Sequence, residues 1–77
     1  MIYEIYAIYD KKAGLFGTPI FQINIETAKR YFNFLMSKQT EIDPLDLDLY
    51  AVGKYNASTG EMVTHKPEFV CGAIVKE

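Results

Sequence analysis

Acidic and nucleophilic side chains occur in the sequence, but their spacing does not build a catalytic or metal-binding site. Asp43, Asp46 and Asp48 are separated by a proline and leucines, in what reads as the approach to a strand. A divalent-cation loop needs converging oxygen ligands and usually a turn-forming glycine. His65 and Cys71 are the single histidine and the single cysteine, so neither has a partner of its own kind. We therefore expect no catalytic residues, no metal and no cofactor.

Basic side chains occur in two adjacent pairs, and such pairs can contact the phosphates of a nucleic acid. One pair follows the first predicted strand, and the other lies on the outer face of a predicted helix, where a phenylalanine could stack on a base. The alternative is a solvated helix face, which is the ordinary role of such residues. Because the net charge is −2, any nucleic-acid binding has to come from a local patch. The candidate nucleic-acid-binding residues are Lys11, Lys12, Lys29, Arg30, Phe34 and Lys54.

The first element that must position these side chains is a predicted strand over residues 2–9. Its isoleucines and tyrosines favour strands, and its odd positions are all apolar whereas its even positions are mixed. We expect Tyr3 and Tyr9 to face the main core. Tyr6 and Ile8 would then lie on the opposite face of the sheet.

A helix is predicted between an N-cap at Asn24 and an end near Lys38, after a loop over residues 10–19 and a short edge strand over residues 20–23. Apolar residues recur at the spacing of one buried helix face. This predicted face consists of Ala28, Tyr31, Phe32, Leu35 and Met36.

The second half of the chain predicts a hairpin. In the segment LDLDLYAVGKY, one alternating set contains Leu47, Leu49, Ala51 and Tyr55, and the other contains Asp48, Tyr50, Val52 and Lys54. Asn56 and Gly60 suit the turn, residues 62–65 return as a strand, and residues 69–75 form a last strand-like segment. These elements predict one α+β domain over residues 1–77. Its small, mainly antiparallel sheet would have the order β-β-α-β-β, with one helix packed on one face.

The predicted second face of this sheet is about half apolar, although a sheet under a single helix normally leaves that face polar. It could be a homodimer interface, a platform on which bases stack, or a second core covered by residues 11–18 or by the C-terminal segment. The acidic edge at Glu4 and Asp48 counts against DNA there. The residues assigned to this oligomer or stacking face are Tyr6, Ile8, Tyr50 and Val52.

The length and composition favour a homo-oligomer. A chain of 77 residues with one cysteine has a marginal core and cannot form an internal disulfide, so association, most simply as a dimer, would add stability. No apolar stretch approaches the roughly 20 residues that span a bilayer, and no signal peptide is recognisable. We expect a cytosolic protein with a reduced thiol and no membrane partner.

The order of motifs resembles that of the small nonstructural proteins of gokushoviruses, the single-stranded DNA phages of the Microviridae. The matching pieces are residues 6–13, 19–21 and 49–53 and the Thr59-Gly60 turn. The resemblance implies a DNA-binding or replication accessory role on single-stranded DNA, during genome synthesis or packaging in the cytoplasm of an infected bacterium. The alternative is an interaction protein that binds a phage or host replication protein and has no DNA affinity of its own.

Overall fold

The computed structural model describes residues 1–73, which form five strands, one α-helix and a short 3-10 helix over Pro44–Asp46. All the strand pairings are antiparallel. The order across the sheet is β2-β1-β4-β5, and β3 pairs with β1 along the same edge as β2. The α+β prediction is confirmed. The elements are β1 (Ile2–Asp10), β2 (Leu15–Phe16), β3 (Ile20–Gln22), α1 (Ile25–Lys38), β4 (Leu47–Asn56) and β5 (Met62–Gly72).

The helix α1 begins and ends where the sequence predicts. The side chain of Asn24 accepts a 2.9 Å hydrogen bond from the Thr27 amide, and the Asn24 amide donates a 3.3 Å hydrogen bond to the Thr27 hydroxyl. This reciprocal capping box satisfies two backbone donors at the start of the helix. Glu26 in the first turn and Lys38 in the last turn complement the helix dipole.

The main core lies between α1 and the sheet. Tyr6 is only 2% exposed and Phe32 is fully buried, so two aromatic side chains are among its most buried members. Tyr31 was predicted on the buried helix face but is 40% exposed. The buried core residues are Tyr6, Ala28, Phe32, Met36, Leu47 and Leu49.

The predicted orientation of β1 is wrong. Tyr6 is buried beneath α1, and Ile8 packs against the same core. The alternation could not decide the orientation, because apolar residues occupy both faces of β1. Pairing with β4 decides it, since Tyr6 lies opposite Ala51 and Ile8 lies opposite Leu49. Those β4 residues belong to the apolar set that packs on the helix.

A β-bulge in β4 switches the side-chain alternation halfway along the strand. Ile5 pairs with Gly53 whereas Tyr6 pairs with Ala51, which leaves Val52 as the extra residue. Beyond the bulge the alternation is reversed, so Tyr55 lies on the face opposite Leu49. The prediction that Tyr55 shares a face with Leu47 and Leu49 is therefore wrong.

The glycine in this bulge allows two strands to approach closely. A Cβ atom built on Gly53 would meet the carbonyl oxygen of Val63 and would lie 3.1 Å from the Cα atom of Thr64. A side chain at this position would therefore displace the backbone of β5.

The strand β5 is longer than predicted and forms one edge of the described sheet. It continues through Pro67, which lies in the stretch between Thr64 and Glu68 where the register against β4 shifts. A second shift lies between Phe69 and Cys71. Proline is tolerated on an edge strand because no neighbour there needs its amide hydrogen. The predicted last segment, residues 69–75, is a strand as far as Gly72, and residues 74–77 lie outside the described part of the chain.

Candidate aromatic interface on the open sheet face

The sheet face opposite α1, called the open face below, is lined with aromatic side chains. The strand register places them together, because paired residues project from the same face. Tyr3 pairs with Tyr55, and Tyr9 pairs with Phe16. The open-face aromatic residues are Tyr3, Tyr9, Phe16, Phe21, Tyr50, Tyr55 and Phe69.

These rings cover a thin apolar layer and remain partly exposed. Ile5 and Ala7 project to the open face from β1 but are only 4% and 3% exposed. The rings above them are accessible, since Phe69 is 60% exposed and Phe16 is 43% exposed. An exposed aromatic area on the order of several hundred Å² marks an interaction site more often than an ordinary surface.

Four of the rings form one closed cluster, defined by Tyr9, Phe16, Tyr50 and Phe69. Tyr9 and Phe16 are 4.7 Å apart between ring centroids, and Tyr50 meets Phe69 edge to face at 5.8 Å. Tyr50 also makes edge contacts with Tyr9 and Phe16, at 5.8 Å and 5.4 Å. Tyr50 therefore joins the cluster through the edge-to-face contacts that aromatic pairs favour, whereas Tyr9 and Phe16 are tilted by 43°.

The remaining rings form a shallow pocket near the other end of β1. The rings of Tyr3 and Tyr55 are 6.5 Å apart between centroids, and their planes are 24° from parallel. Phe21 meets Tyr55 edge to face at 5.6 Å. Met62 completes the lining of what we call the Tyr3–Tyr55 pocket.

The tyrosine hydroxyls differ between the two faces of the sheet. On the helix side, the Tyr6 hydroxyl donates a 2.6 Å hydrogen bond to Glu4 Oε1. Burial, together with this hydrogen bond, raises the pKa of Tyr6. Among residues 1–73, the hydroxyls of the open-face tyrosines form no side-chain hydrogen bond, and none of them is buried without a partner. They are available to an external ligand.

The predicted basic residues at the sheet ends are not assembled into one groove. Lys11 lies 3.6 Å from a carboxylate oxygen of Asp48, and Lys12 lies 3.8 Å from one of Asp46. Lys54 is exposed and lies near the other end of β4 from these two lysines. It is seven residues from Leu47, which corresponds to about 23 Å along a strand. Lys11 and Lys12, each near an aspartate, therefore offer less free positive charge for phosphates than two unpaired lysines would.

The other predicted nucleic-acid-binding residues lie on α1, on the opposite side of the sheet from the open face. Arg30 and Phe34 line a shallow pocket with Tyr31 and are exposed. The Lys38 ammonium lies 5.6 Å from the centroid of the Phe34 ring, a cation–π contact that already uses one ring face. Lys29 is half-buried and lies close enough to Cys71 to act on its thiol electrostatically.

Of the residues predicted for the second face, Tyr50 lies on the open face, Val52 occupies the bulge, and Tyr6 and Ile8 pack under the helix. Alternation alone missed most of the aromatic surface. The signal that could have found it is composition, because six tyrosines and five phenylalanines exceed what one small helix-covered core can hold. The open-face residues that the sequence reasoning did not assign are Tyr3, Tyr9, Phe16, Phe21, Tyr55 and Phe69.

The remaining candidates show no site geometry. Within residues 1–73, no three His, Cys, Asp or Glu side chains are grouped so that they could hold a metal ion. The Nδ1 atom of His65 lies 3.6 Å from Oε1 of Glu68, on an exposed part of β5. Burial raises the pKa of the Cys71 thiol, so this cysteine is a weak nucleophile at neutral pH. None of the described helices is long and apolar enough to cross a membrane.

The sequence comparisons identify the family. No curated protein and no solved structure matches the chain significantly. A family model with the description "Phage ORF5 protein" matches residues 3–75, a range that includes every lining residue of the Tyr3–Tyr55 pocket and the whole closed cluster. The chain therefore belongs to the Phage ORF5 protein family.

Proposed function

We propose that this phage protein binds single-stranded DNA by stacking bases on the open face, and that it serves phage DNA replication or packaging as a homo-oligomer. The observation that carries the proposal is the open face itself, seven aromatic side chains on one side of an antiparallel sheet. Base–aromatic stacking contributes about 1–3 kcal/mol per base and tolerates any sequence. The resemblance to gokushovirus nonstructural proteins supports the same setting, a phage with a single-stranded genome.

The tyrosines favour a nucleic acid over a dry protein contact. Four of the seven open-face aromatic residues are tyrosines, namely Tyr3, Tyr9, Tyr50 and Tyr55. A dry interface would have to supply a hydrogen-bond partner for each hydroxyl, because an unpaired buried hydroxyl costs about 1–3 kcal/mol. The sugars, phosphates and base edges of a single strand, with bridging water, can provide such partners.

The ion pairs support a binding mode in which stacking contributes more than charge. Lys11 and Lys12 are each near an aspartate, and the net charge is −2, so few phosphates are neutralised. Each phosphate contact on single-stranded DNA contributes about 0.7 to the salt slope of the affinity. We expect binding that weakens only moderately with salt and that depends strongly on the rings.

The homo-oligomer proposal is supported by the long edge strand β5. This strand has eleven residues and forms an edge of the sheet over the described residues. An exposed edge with unpaired backbone groups can pair with the same edge of a second copy. Such pairing would leave the open faces of both copies available to one DNA strand.

The test is a titration of fluorescently labelled oligothymidylate, followed by anisotropy at low and moderate salt. The variant Phe16→Leu/Phe69→Leu keeps apolar volume in the closed cluster but removes two exposed rings. We expect a loss of affinity of at least about tenfold, as two lost stacks imply. The matched control is Phe34→Leu, which removes an exposed ring from α1 and leaves the open face intact.

A second candidate function is favoured by the same ion pairs. If the protein binds no oligonucleotide even at low salt, the DNA proposal fails. The open face would then be a contact for a phage or host replication protein. Such a contact needs no excess of positive charge, in agreement with the net charge of −2. A pull-down of purified replication initiator with the wild-type chain and with Phe16→Leu/Phe69→Leu would test that reading directly.

A further inference from the structure

We infer that the Tyr3–Tyr55 pocket is a slot for one nucleobase, which enters between the two tyrosine rings. This inference rests on the proposed function and adds to it a specific subsite. The open face would then have two parts with different roles, a slot at one end and the closed cluster at the other.

The two parts differ in how their rings are arranged. In the closed cluster the Tyr9 and Phe16 centroids are 4.7 Å apart, and the ring of Tyr50 meets its three neighbours edge to face. This arrangement leaves no gap between rings, so a base could only lie on top of it. Tyr3 and Tyr55 instead present near-parallel rings, 24° apart in plane and 6.5 Å apart between centroids.

The spacing of the tyrosine pair suits a planar guest. A flat ring in contact with a neighbour on each side needs about 7 Å between those neighbours, which is two carbon–carbon contacts of about 3.5 Å. The centroids of Tyr3 and Tyr55 are 6.5 Å apart, so we expect the two rings to turn outward when a base enters. The pocket is open at the surface of the sheet.

The lining of the pocket matches the chemistry of a base. Phe21 and Met62 complete its lining with apolar and polarisable atoms. The hydroxyls of Tyr3 and Tyr55 are at the far ends of their rings and, within the described residues, have no side-chain partner. A purine or pyrimidine has apolar faces and polar edges, so it would satisfy both kinds of surface at once. A branched aliphatic side chain has neither the flat shape nor the hydrogen-bonding edge.

The position of the slot is consistent with a strand that crosses the whole open face. Ala7, beneath the closed cluster, is four residues from Tyr3 along β1, which corresponds to about 13 Å. Between the two parts the open face has small side chains, Gly53 and Thr64, at paired positions. The backbone of a single strand can pass over this low region while bases on either side contact the rings.

The experiment is photo-crosslinking of the wild-type protein to single-stranded DNA that carries 5-iodouracil, followed by peptide mass mapping. We expect adducts at Tyr3 or Tyr55. In parallel, the affinity of Tyr55→Leu should fall about tenfold, the loss of one stacked base. Tyr55→Phe should lose less affinity than Tyr55→Leu, because it keeps the ring and removes only the hydroxyl. Tyr31→Leu on the outer surface of α1 is the matched control and should bind normally.

The outcomes separate the slot from the proposed function. DNA binding with adducts confined to peptides of the closed cluster, and with unchanged affinity in Tyr55→Leu, overturns the slot but leaves stacking on the open face intact. Absence of any DNA binding overturns both. An equal loss of affinity in Tyr55→Phe and Tyr55→Leu, with both variants folded by circular dichroism, also overturns the slot, since a ring would not be what binds. The wild-type crosslink decides the question even if Tyr55→Leu fails to fold.

Discussion

Tyr3 and Tyr55 are cross-strand partners on the open face, with their ring centroids 6.5 Å apart. They meet there because of one extra residue, Val52, in the bulge of β4. Without the bulge, strict alternation from Leu49 would turn Tyr55 toward the helix side. A local irregularity of the backbone therefore assembles the pocket to which we assign base binding.

The glycine in that bulge should be sensitive to substitution. Gly53→Ala places a methyl group against the Val63 carbonyl oxygen, so β5 has to move away from β4. We expect the free energy of unfolding to fall by about 1–3 kcal/mol, the usual range for overpacking. Urea denaturation measures this change. Gly17→Ala is the control, because its new Cβ would meet the Ile8 carbonyl oxygen at an ordinary 3.6 Å; an equal loss in both variants would contradict the explanation.

Tyr6 should make stability dependent on pH in the alkaline range. Its pKa is raised above the ordinary value of 10.0 in the folded chain, chiefly by burial. Below pH 10 the hydroxyl is protonated in both states. As the pH rises above 10, the unfolded chain loses this proton while the folded chain keeps it, so the free energy of unfolding decreases.

The variant Tyr6→Phe isolates this contribution. It should lose about 1–2 kcal/mol at neutral pH, because the hydrogen bond to Glu4 is gone. Its stability should then decline less steeply than that of the wild type between pH 9 and pH 11, as followed by thermal melts. Parallel curves for the two proteins would show that Tyr6 does not titrate with unfolding.

The capping box of α1 should be worth a measurable amount of stability. Asn24→Ala removes the side-chain acceptor for the Thr27 amide and should lower the free energy of unfolding by about 1 kcal/mol. The control Asn33→Ala changes the same residue type at an exposed position inside the helix. Alanine has the higher helix propensity there, so stability should stay equal or rise slightly. A larger loss in Asn33→Ala than in Asn24→Ala would refute the role of the cap.

The basic residues on the helix should have little effect on DNA affinity. Lys29→Glu/Arg30→Glu alters charge on the side of the sheet opposite the open face, so the affinity should change by less than about threefold at moderate salt. The salt slope of the wild type should correspond to about one or two phosphate contacts. A steep salt slope together with a collapse of binding in this double variant would move the DNA site to the helix.

Much of the fold follows from patterns in the sequence. The spacing of Ala28, Phe32 and Met36 predicts the buried side of α1, and the Asn24 cap predicts its start. Alternation in β4 predicts the inward positions of Leu47 and Leu49. These predictions hold because each depends on a local pattern with one clear apolar side.

The set of residues on the open face could not be predicted from local sequence patterns. Apolar residues at both odd and even positions of β1 leave its orientation undecided until the pairing of Tyr6 with Ala51 is known. The short strand at Leu15–Phe16 lies in a segment whose glycines and proline predict a loop. The ion pairs of Lys11 and Lys12 with aspartates depend on contacts between β1 and the start of β4, which no local pattern encodes.

The distribution of tyrosines also gives the protein a built-in optical reporter. The chain has no tryptophan, so its ultraviolet emission comes from six tyrosines, four of them on the open face. Tyr6 is enclosed in the core and Tyr31 lies on the helix side. Emission that weakens when an unlabelled oligonucleotide is added would therefore report contact at the open face, and the occupancy of that face can be followed without any dye.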